Sequence, residues 1–196
     1  VCANFLVFLR VRVTLDGEKS VRKGVPKQDV LRIALTGYAG VGKDVAGEIL
    51  AAKLRLKRVA LGDLIKEELD GLITKHLGFS AFTVVPEQKK RIREVLVHWG
   101  YAHYDGLIKR FMRAVPKRAV NTRLFRLQEA REWVAIGGVI VEVRRTGFGP
   151  AEPKEAEELD LICQAGLIRC VLHNEGTLDE FRSVVASLGT ETANGR

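Results

Sequence analysis

From residue 30 to residue 188 the chain repeats one pattern: a short apolar run, a turn, then a stretch in which apolar residues recur at helical spacing. Ile33, Ala34 and Leu35 close the first run, and Val45, Ile49 and Leu50 then recur three to four apart, with Ala46, Ala51 and Ala52 as strong helix formers. The second run, 57–61, leads to a helix over 64–77 with Asp63 as its cap. Pro86 opens a helix through Arg91, Arg93 and Leu96 to Trp99, which Gly100 breaks or bends. A further helix covers 104–114 and stops before Pro116. The pattern then predicts a strand over 118–123, a helix over 124–136, a Gly137-Gly138 turn, a strand over 139–143, a Gly- and Pro-rich loop over 146–153, a strand over 167–172 and a helix ending at Leu188. Alternation of this kind needs crossover connections and a parallel sheet.

The first turn carries chemistry as well as geometry. Gly37-Tyr-Ala-Gly-Val-Gly-Lys-Asp44 joins a strand to a helix, with Gly37, Gly42 and Lys43 at the spacing of a phosphate loop. In such a loop the backbone N–H groups surround phosphate oxygens and the helix N-terminus adds its positive dipole end. A plain strand-to-helix turn would account for the glycines but not for the lysine. Asp44 stands where most phosphate loops carry serine or threonine.

Other candidates follow from the ends of the predicted strands, where an open α/β sheet binds its ligands. Asp63 lies at such an end, as a helix cap, a ligand contact or both, and Lys66 one turn later meets a phosphate or solvent. The strand over 118–123 is expected to deliver Asn121 and Arg123 to the same edge. Arg144 and Arg145 precede the 146–153 loop, which reads as a lid whose arginines neutralise a transferring phosphoryl group; a solvated pair is the alternative. Trp99 is expected in the core, with a base-stacking platform as the other reading. His98 and His103 do not share a helix face, which argues against a metal site.

Composition narrows the class. At 46% hydrophobic and 29% charged residues over 196 positions, the chain is expected to form one globular domain. Residues 1–13 are the nearest approach to a membrane segment, and Arg10 and Arg12 interrupt them. Residues 1–29, with a strand over 5–13 and a turn at Asp16-Gly17, read as a leader or extension without chemistry, and residues 189–196 as a disordered tail. Cys2, Cys163 and Cys170 show neither metal spacing nor a paired framework, so buried thiols and a cytoplasmic location are expected. The net charge of +8 and a pI of about 9.6 favour phosphate-bearing small molecules over nucleic acid, since no nucleic-acid module is present. A homodimer is left open.

Four segments together resemble a family: Gly37 to Asp44; Leu61-Gly-Asp-Leu-Ile-Lys66; Asn121-Thr-Arg123 with Glu129-Ala130; and His173-Asn-Glu-Gly-Thr-Leu-Asp-Glu180. They resemble the phage-type deoxynucleoside monophosphate kinases, within the P-loop kinases that also include dephospho-coenzyme A kinases. The likeness spans residues 30–188. It implies a three-layer α/β P-loop kinase fold with a parallel sheet, a helical acceptor-site insertion and a lid loop, and transfer of the γ-phosphoryl group of ATP to a (deoxy)nucleoside monophosphate with Mg²⁺. By position it implies that Gly37, Gly40, Gly42, Lys43, Asp44 and Val45 bind ATP, with Lys43 on the β and γ phosphates and Asp44 holding the metal. It further implies that Asn174 lies at the adenine, that Asp63, Lys66 and Arg123 face the acceptor, and that Arg144 or Arg145 acts catalytically with Lys43. Two departures stand out. Asn121 replaces the family's aspartate, removing a charge that would order metal-bound water or orient the acceptor, and the segment after Gly100 lacks the relatives' aromatic-rich pattern. The alternatives are a P-loop kinase for another small acceptor, such as dephospho-coenzyme A, and an ATP-binding protein without turnover.

Overall fold

A computed structural model describes residues 30–193, with side chains through residue 187. The expectations for residues 1–29 and for residues 194–196 of the tail lie outside the described residues. Strands β1 (Leu31–Thr36), β2 (Lys57–Val59), β3 (Arg118–Asn121), β4 (Val139–Arg144) and β5 (Ile168–His173) form one parallel sheet in the order β2-β3-β1-β4-β5. Among the described residues seven helices accompany them: α1 (Lys43–Leu54), α2 (Leu61–Leu77), α3 (Pro86–Ala102), α4 (Tyr104–Ala114), α5 (Leu127–Ala135), α6 (Pro153–Gln164) and α7 (Leu178–Ala193). This is a three-layer α/β architecture, with helices on both faces of a parallel sheet.

The two-residue period of the strands sorts the core into two faces. Ile33 and Leu35 of β1, Val120 of β3 and Val141 and Val143 of β4 pack with Ala46 and Leu50 of α1 and Phe181 and Val185 of α7. Their neighbours Ala34, Ala119 and Ile140 point to the other face and meet Leu107, Ile108, Phe111 and Met112 of α4, Ala130 and Trp133 of α5 and Ile162 of α6. A satellite core of Leu69 and Ile73 of α2, Ala81 and Ile92 of α3 builds the helical insertion between β2 and β3. Because α1 follows β1 onto one face and α5 follows β3 onto the other, the carboxyl ends of β1 and β3 flank a crevice. In a parallel sheet that reversal is where ligands bind.

Several predicted boundaries move. Helix α2 begins at Leu61 with Ala60 as its cap, so Asp63 is a first-turn residue and not the cap. Leu61 explains the shift, since it is drawn into the core beside Ala34 and Leu107. Gly100 does not break α3: it is buried inside the helix, where a Cβ would come within 2.8 Å of the Ile65 side chain, so its small size serves helix packing. Helix α6 has no counterpart in the sequence reading, although Pro153 at its first turn is a start signal. Helix α7 continues past Leu188 to Ala193, because Gly189 weakens a helix but does not stop it as proline would. Cys163 is exposed on α6 and Cys170 half-buried, so Cys163 is not the buried thiol expected. Among the described residues no helix is long and apolar enough to cross a membrane.

Gly47 on α1 gives this packing a test. A Cβ there would lie 2.1 Å from Cγ2 of Thr122, just past the end of β3, so α1 seats directly on that turn. Alanine would gain about 1 kcal/mol of helix propensity, but overpacking of about 1–3 kcal/mol outweighs it. Gly47→Ala should lower the urea midpoint, and adding Thr122→Ser, which removes the methyl, should recover most of the loss. A Gly47→Ala protein as stable as the parent would contradict this packing.

Candidate active site

The loop between β1 and α1 is shaped by backbone that L side chains rarely adopt. Gly37 and Gly42 have φ of 124° and 104°, and a Cβ on Gly37 would meet the carbonyl oxygen of Val143 at 2.2 Å. The loop therefore lies directly against the end of β4. Gly42 precedes α1, and no side chain caps that helix, which leaves its first amides without an intrahelical partner. Asn174, just beyond β5, donates from Nδ2 to the Val41 carbonyl at 2.9 Å and is buried. It is a brace beneath the loop, in contact with Gly42, and its amide is committed there.

Lys43 Nζ donates to the carbonyls of Gly37 at 2.5 Å and Tyr38 at 2.6 Å. Burial pulls its pKa down; the carboxylates of Glu155 and Asp44 oppose that pull, and Arg123 adds to it. A cleft of about 430 Å³ opens above the loop, lined by Gly37, Gly40, Gly42, Lys43, Asp44 and Val45 on one side. Thr122, Arg123, Leu124 and Phe125 form the facing wall, and Glu155 of α6 closes one end. Asp44 is half-exposed, with Arg58 at 3.7 Å and Arg123 at 4.0 Å. The cleft thus joins β1 and β3, as the strand order requires.

Sequence reasoning missed Glu155. Its Oε1 accepts from the amide of Ala39 in the loop at 3.0 Å, and its Oε2 from Ala151 at 2.8 Å. A loop amide holding an anionic oxygen is a direct sign that the loop suits phosphate. The donor set fits ATP in this respect, and the Asp44 carboxylate within the cleft fits a hard cation such as Mg²⁺. Among the described residues no three His, Cys, Asp or Glu side chains gather to hold a metal by themselves.

The remaining candidates are placed apart from this cleft. Asp63 and Lys66 pair with each other on α2 at 3.1 Å, and Lys66 lies 5.4 Å from the Phe82 ring centroid. Arg144 makes a two-pronged contact with buried Glu142, at 2.5 and 2.8 Å, because residues 142 and 144 share a strand face. Arg145 stacks on Phe148, whose ring packs where a side chain on Gly40 would sit. The loop over 146–153 thereby rests on the β1–α1 loop. Asn121 ends β3, but its side chain does not line the cleft. It shares a strand face with Ala119, is fully buried, and donates from Nδ2 to Glu129 Oε1 at 2.9 Å. Its side chain is engaged by Glu129 and the Arg123 amide, so a direct contact with metal-bound water or acceptor, expected of the aspartate it replaces, is not the role this residue has here.

A second, wider cavity of about 970 Å³ lies among α2, α3, α4 and the start of α5, lined by Trp99, Tyr101, His103, Tyr104, Arg110 and Arg126 among others. Trp99 is half-buried, donates from Nε1 to Glu68 and is inclined to the His103 ring, so it serves both the insertion's packing and the cavity wall. The Arg126 guanidinium lies 4.3 Å from the Tyr101 ring centroid and 4.2 Å from that of Tyr104. Despite the sparse aromatic pattern after Gly100, rings from two helices are gathered around one arginine.

Burial pushes the Glu129 carboxyl up to about 7, against hydrogen bonds from Asn121 and Phe125 and the nearby Arg126 charge. A carboxyl whose folded value is raised binds its proton more tightly when folded. Its contribution is fully present below its ordinary value of 4.5 and is lost as pH rises through about 7. Relative to Glu129→Gln, the parent protein should therefore lose about 3 kcal/mol between pH 4.5 and pH 8. Thermal unfolding across that range measures the difference, and parallel curves for the two proteins would exclude it.

The chain is similar to solved structures of a dephospho-CoA kinase from Campylobacter jejuni, with 14% identity over 82% of this chain and 96% of that one and a TM-score of 0.44. It is also similar to a shikimate kinase from Bacteroides thetaiotaomicron, with 14% identity over 82% and 96% and a TM-score of 0.44. A gluconokinase from Sinorhizobium meliloti 1021 shares 13% identity over 83% and 93%, with a TM-score of 0.44. No protein-family profile and no curated protein matches the chain. The likeness to the solved structures is distant, and the cleft's own residues carry the functional reading.

Proposed function

We propose that the chain transfers the γ-phosphoryl group of ATP to a small acceptor, with a nucleoside or deoxynucleoside monophosphate as the preferred class. One observation carries this reading: a glycine-shaped loop before an uncapped helix already holds a carboxylate oxygen on a backbone amide, beside a half-buried lysine. ATP with Mg²⁺ would supply the phosphoryl group and the bridging charge when bound. Lys43 would exchange the carbonyls of Gly37 and Tyr38 for the β and γ phosphates, a stronger contact because it is charge-assisted and partly desolvated. Gly37, Gly40, Gly42 and Val45 would surround the phosphates, and Asp44 would hold the metal directly or through water.

Arg123, on the opposite wall, is suited to the acceptor phosphate or to charge on the transferring group. The ring-lined cavity continues from the same wall through Arg126, which supports an acceptor with a flat base. In this scheme Asp63 and Lys66 contribute from α2. Arg145 is better placed than Arg144 as the lid arginine, because Phe148 ties its loop to Gly40 whereas Arg144 is held by Glu142. Asn174 acts on ATP by bracing the loop through Val41.

Purified protein with ATP and Mg²⁺ should convert at least one member of a nucleoside and deoxynucleoside monophosphate panel to the diphosphate. Lys43→Ala should reduce kcat/KM about a hundred- to a thousandfold while leaving the unfolding midpoint near the parent value. Product on dephospho-coenzyme A alone would move the acceptor assignment, and ATP binding without product on any acceptor would overturn the kinase reading.

A further inference from the structure

The wall opposite the phosphate loop is held from behind by a pair of buried polar side chains that do not themselves line the cleft. Asn121 is fully buried and Glu129 is 2% exposed. The amide of Arg123 donates to Asn121 Oδ1 at 3.0 Å, Asn121 Nδ2 donates to Glu129 Oε1 at 2.9 Å, and the amide of Phe125 donates to Glu129 Oε2 at 3.2 Å. Leu124, between those two amides, donates to the Leu35 carbonyl at the end of β1 at 3.2 Å. Three successive residues of the wall are thus anchored by their backbone, two of them to this pair.

We propose that Asn121 and Glu129 form a matched donor and acceptor pair that positions the cleft wall at residues 123–125, and with it the Arg123 side chain, for a phosphate ligand. The matching follows from the chemistry of each contact. Backbone N–H groups approach both ends of the pair, so both outer atoms must be acceptors. The inner contact then needs one donor and one acceptor. An amide at 121 with a carboxylate at 129 meets that demand, with a single negative charge. Asn121→Asp would set two carboxylates against each other in a buried site, where one must take up a proton. Glu129→Gln would turn an NH₂ group toward either Asn121 Nδ2 or the Phe125 amide, leaving a donor without an acceptor. The double change Asn121→Asp with Glu129→Gln reverses the inner hydrogen bond, retains both outer ones and preserves the charge. The charged and titratable groups that bear on the pair are Arg126 on the same segment and Tyr104 of α4, and the swap alters neither.

The functional half of this inference rests on the phosphate cleft proposed above, so the experiment reads the pair in two ways at pH 8. Hydrogen exchange at the Arg123 and Phe125 amides needs no ligand. Each single variant should exchange at one or both of these amides about tenfold faster, and the double variant should return close to the parent rate. ATP binding by calorimetry should weaken about tenfold in the singles and recover in the double. In an Arg123→Ala background, Asn121→Asp should then add nothing to the loss in affinity, a result that general destabilisation would not give. Unchanged exchange in the singles, or a double variant no better than the worse single, would overturn the pairing. Additive losses with Arg123→Ala would overturn the positioning role. Failure of the parent to bind ATP would reject the proposed function, while the exchange data would still judge the pair.

Discussion

The close approach of Gly37 to the Val143 carbonyl is the constraint on which the rest of the site depends. There is no room there for a side chain, so the chain leaving β1 turns across the end of β4 and delivers Gly42 and Lys43 to the start of α1. Asn174 then braces that turn from the far side through Val41. The loop is fixed by three strands, β1, β4 and β5, before any ligand is considered. Rigidity of this kind is what positions backbone donors without an entropic penalty at binding.

Around the loop, charges of both signs face one another across short distances. Lys43 is drawn toward loop carbonyls, Asp44 lies between Arg58 and Arg123, and the Glu155 carboxylate rests on the Ala39 amide. Each of these contacts involves a group that a phosphate or a cation would attract more strongly. A polyanion with its metal would replace these contacts with charge-assisted ones, drawing on groups already oriented. The net charge of +8 is consistent with that demand, since the arginines that matter are distributed over the cleft wall, the insertion and the lid loop.

The 146–153 loop with α6 and the helical insertion are linked by stacking. Lys154, at the start of α6, lies 4.7 Å from the Tyr101 ring, which also meets Arg126, while Phe148 of the preceding loop covers Gly40. Motion of α6 would therefore be felt at the phosphate loop and at the ring-lined cavity together. The physical link is a set of cation and ring contacts worth about 0.5–2 kcal/mol each.

Apart from α6, the order of strands and helices was legible in the sequence, as were the glycine-shaped turn before α1 and the basic excess, because each depends on local periodicity or on residue types at fixed spacing. Gly37, Gly42 and Lys43 lie in the turn between β1 and α1, and Arg123 lines the cleft. What only the tertiary structure decided is which way the side chains at strand ends point and what meets them. Period-two alternation in β3 turns Asn121 toward α5, where it meets Glu129, so a residue expected to face the ligand edge is buried against a helix instead. The same alternation in β4 ties Arg144 to Glu142. Glu155 reaches the loop only because α6 folds back over it, across more than a hundred residues of chain. Local sequence sets propensity and spacing; long-range packing sets direction, and in this site direction separates a ligand contact from a brace.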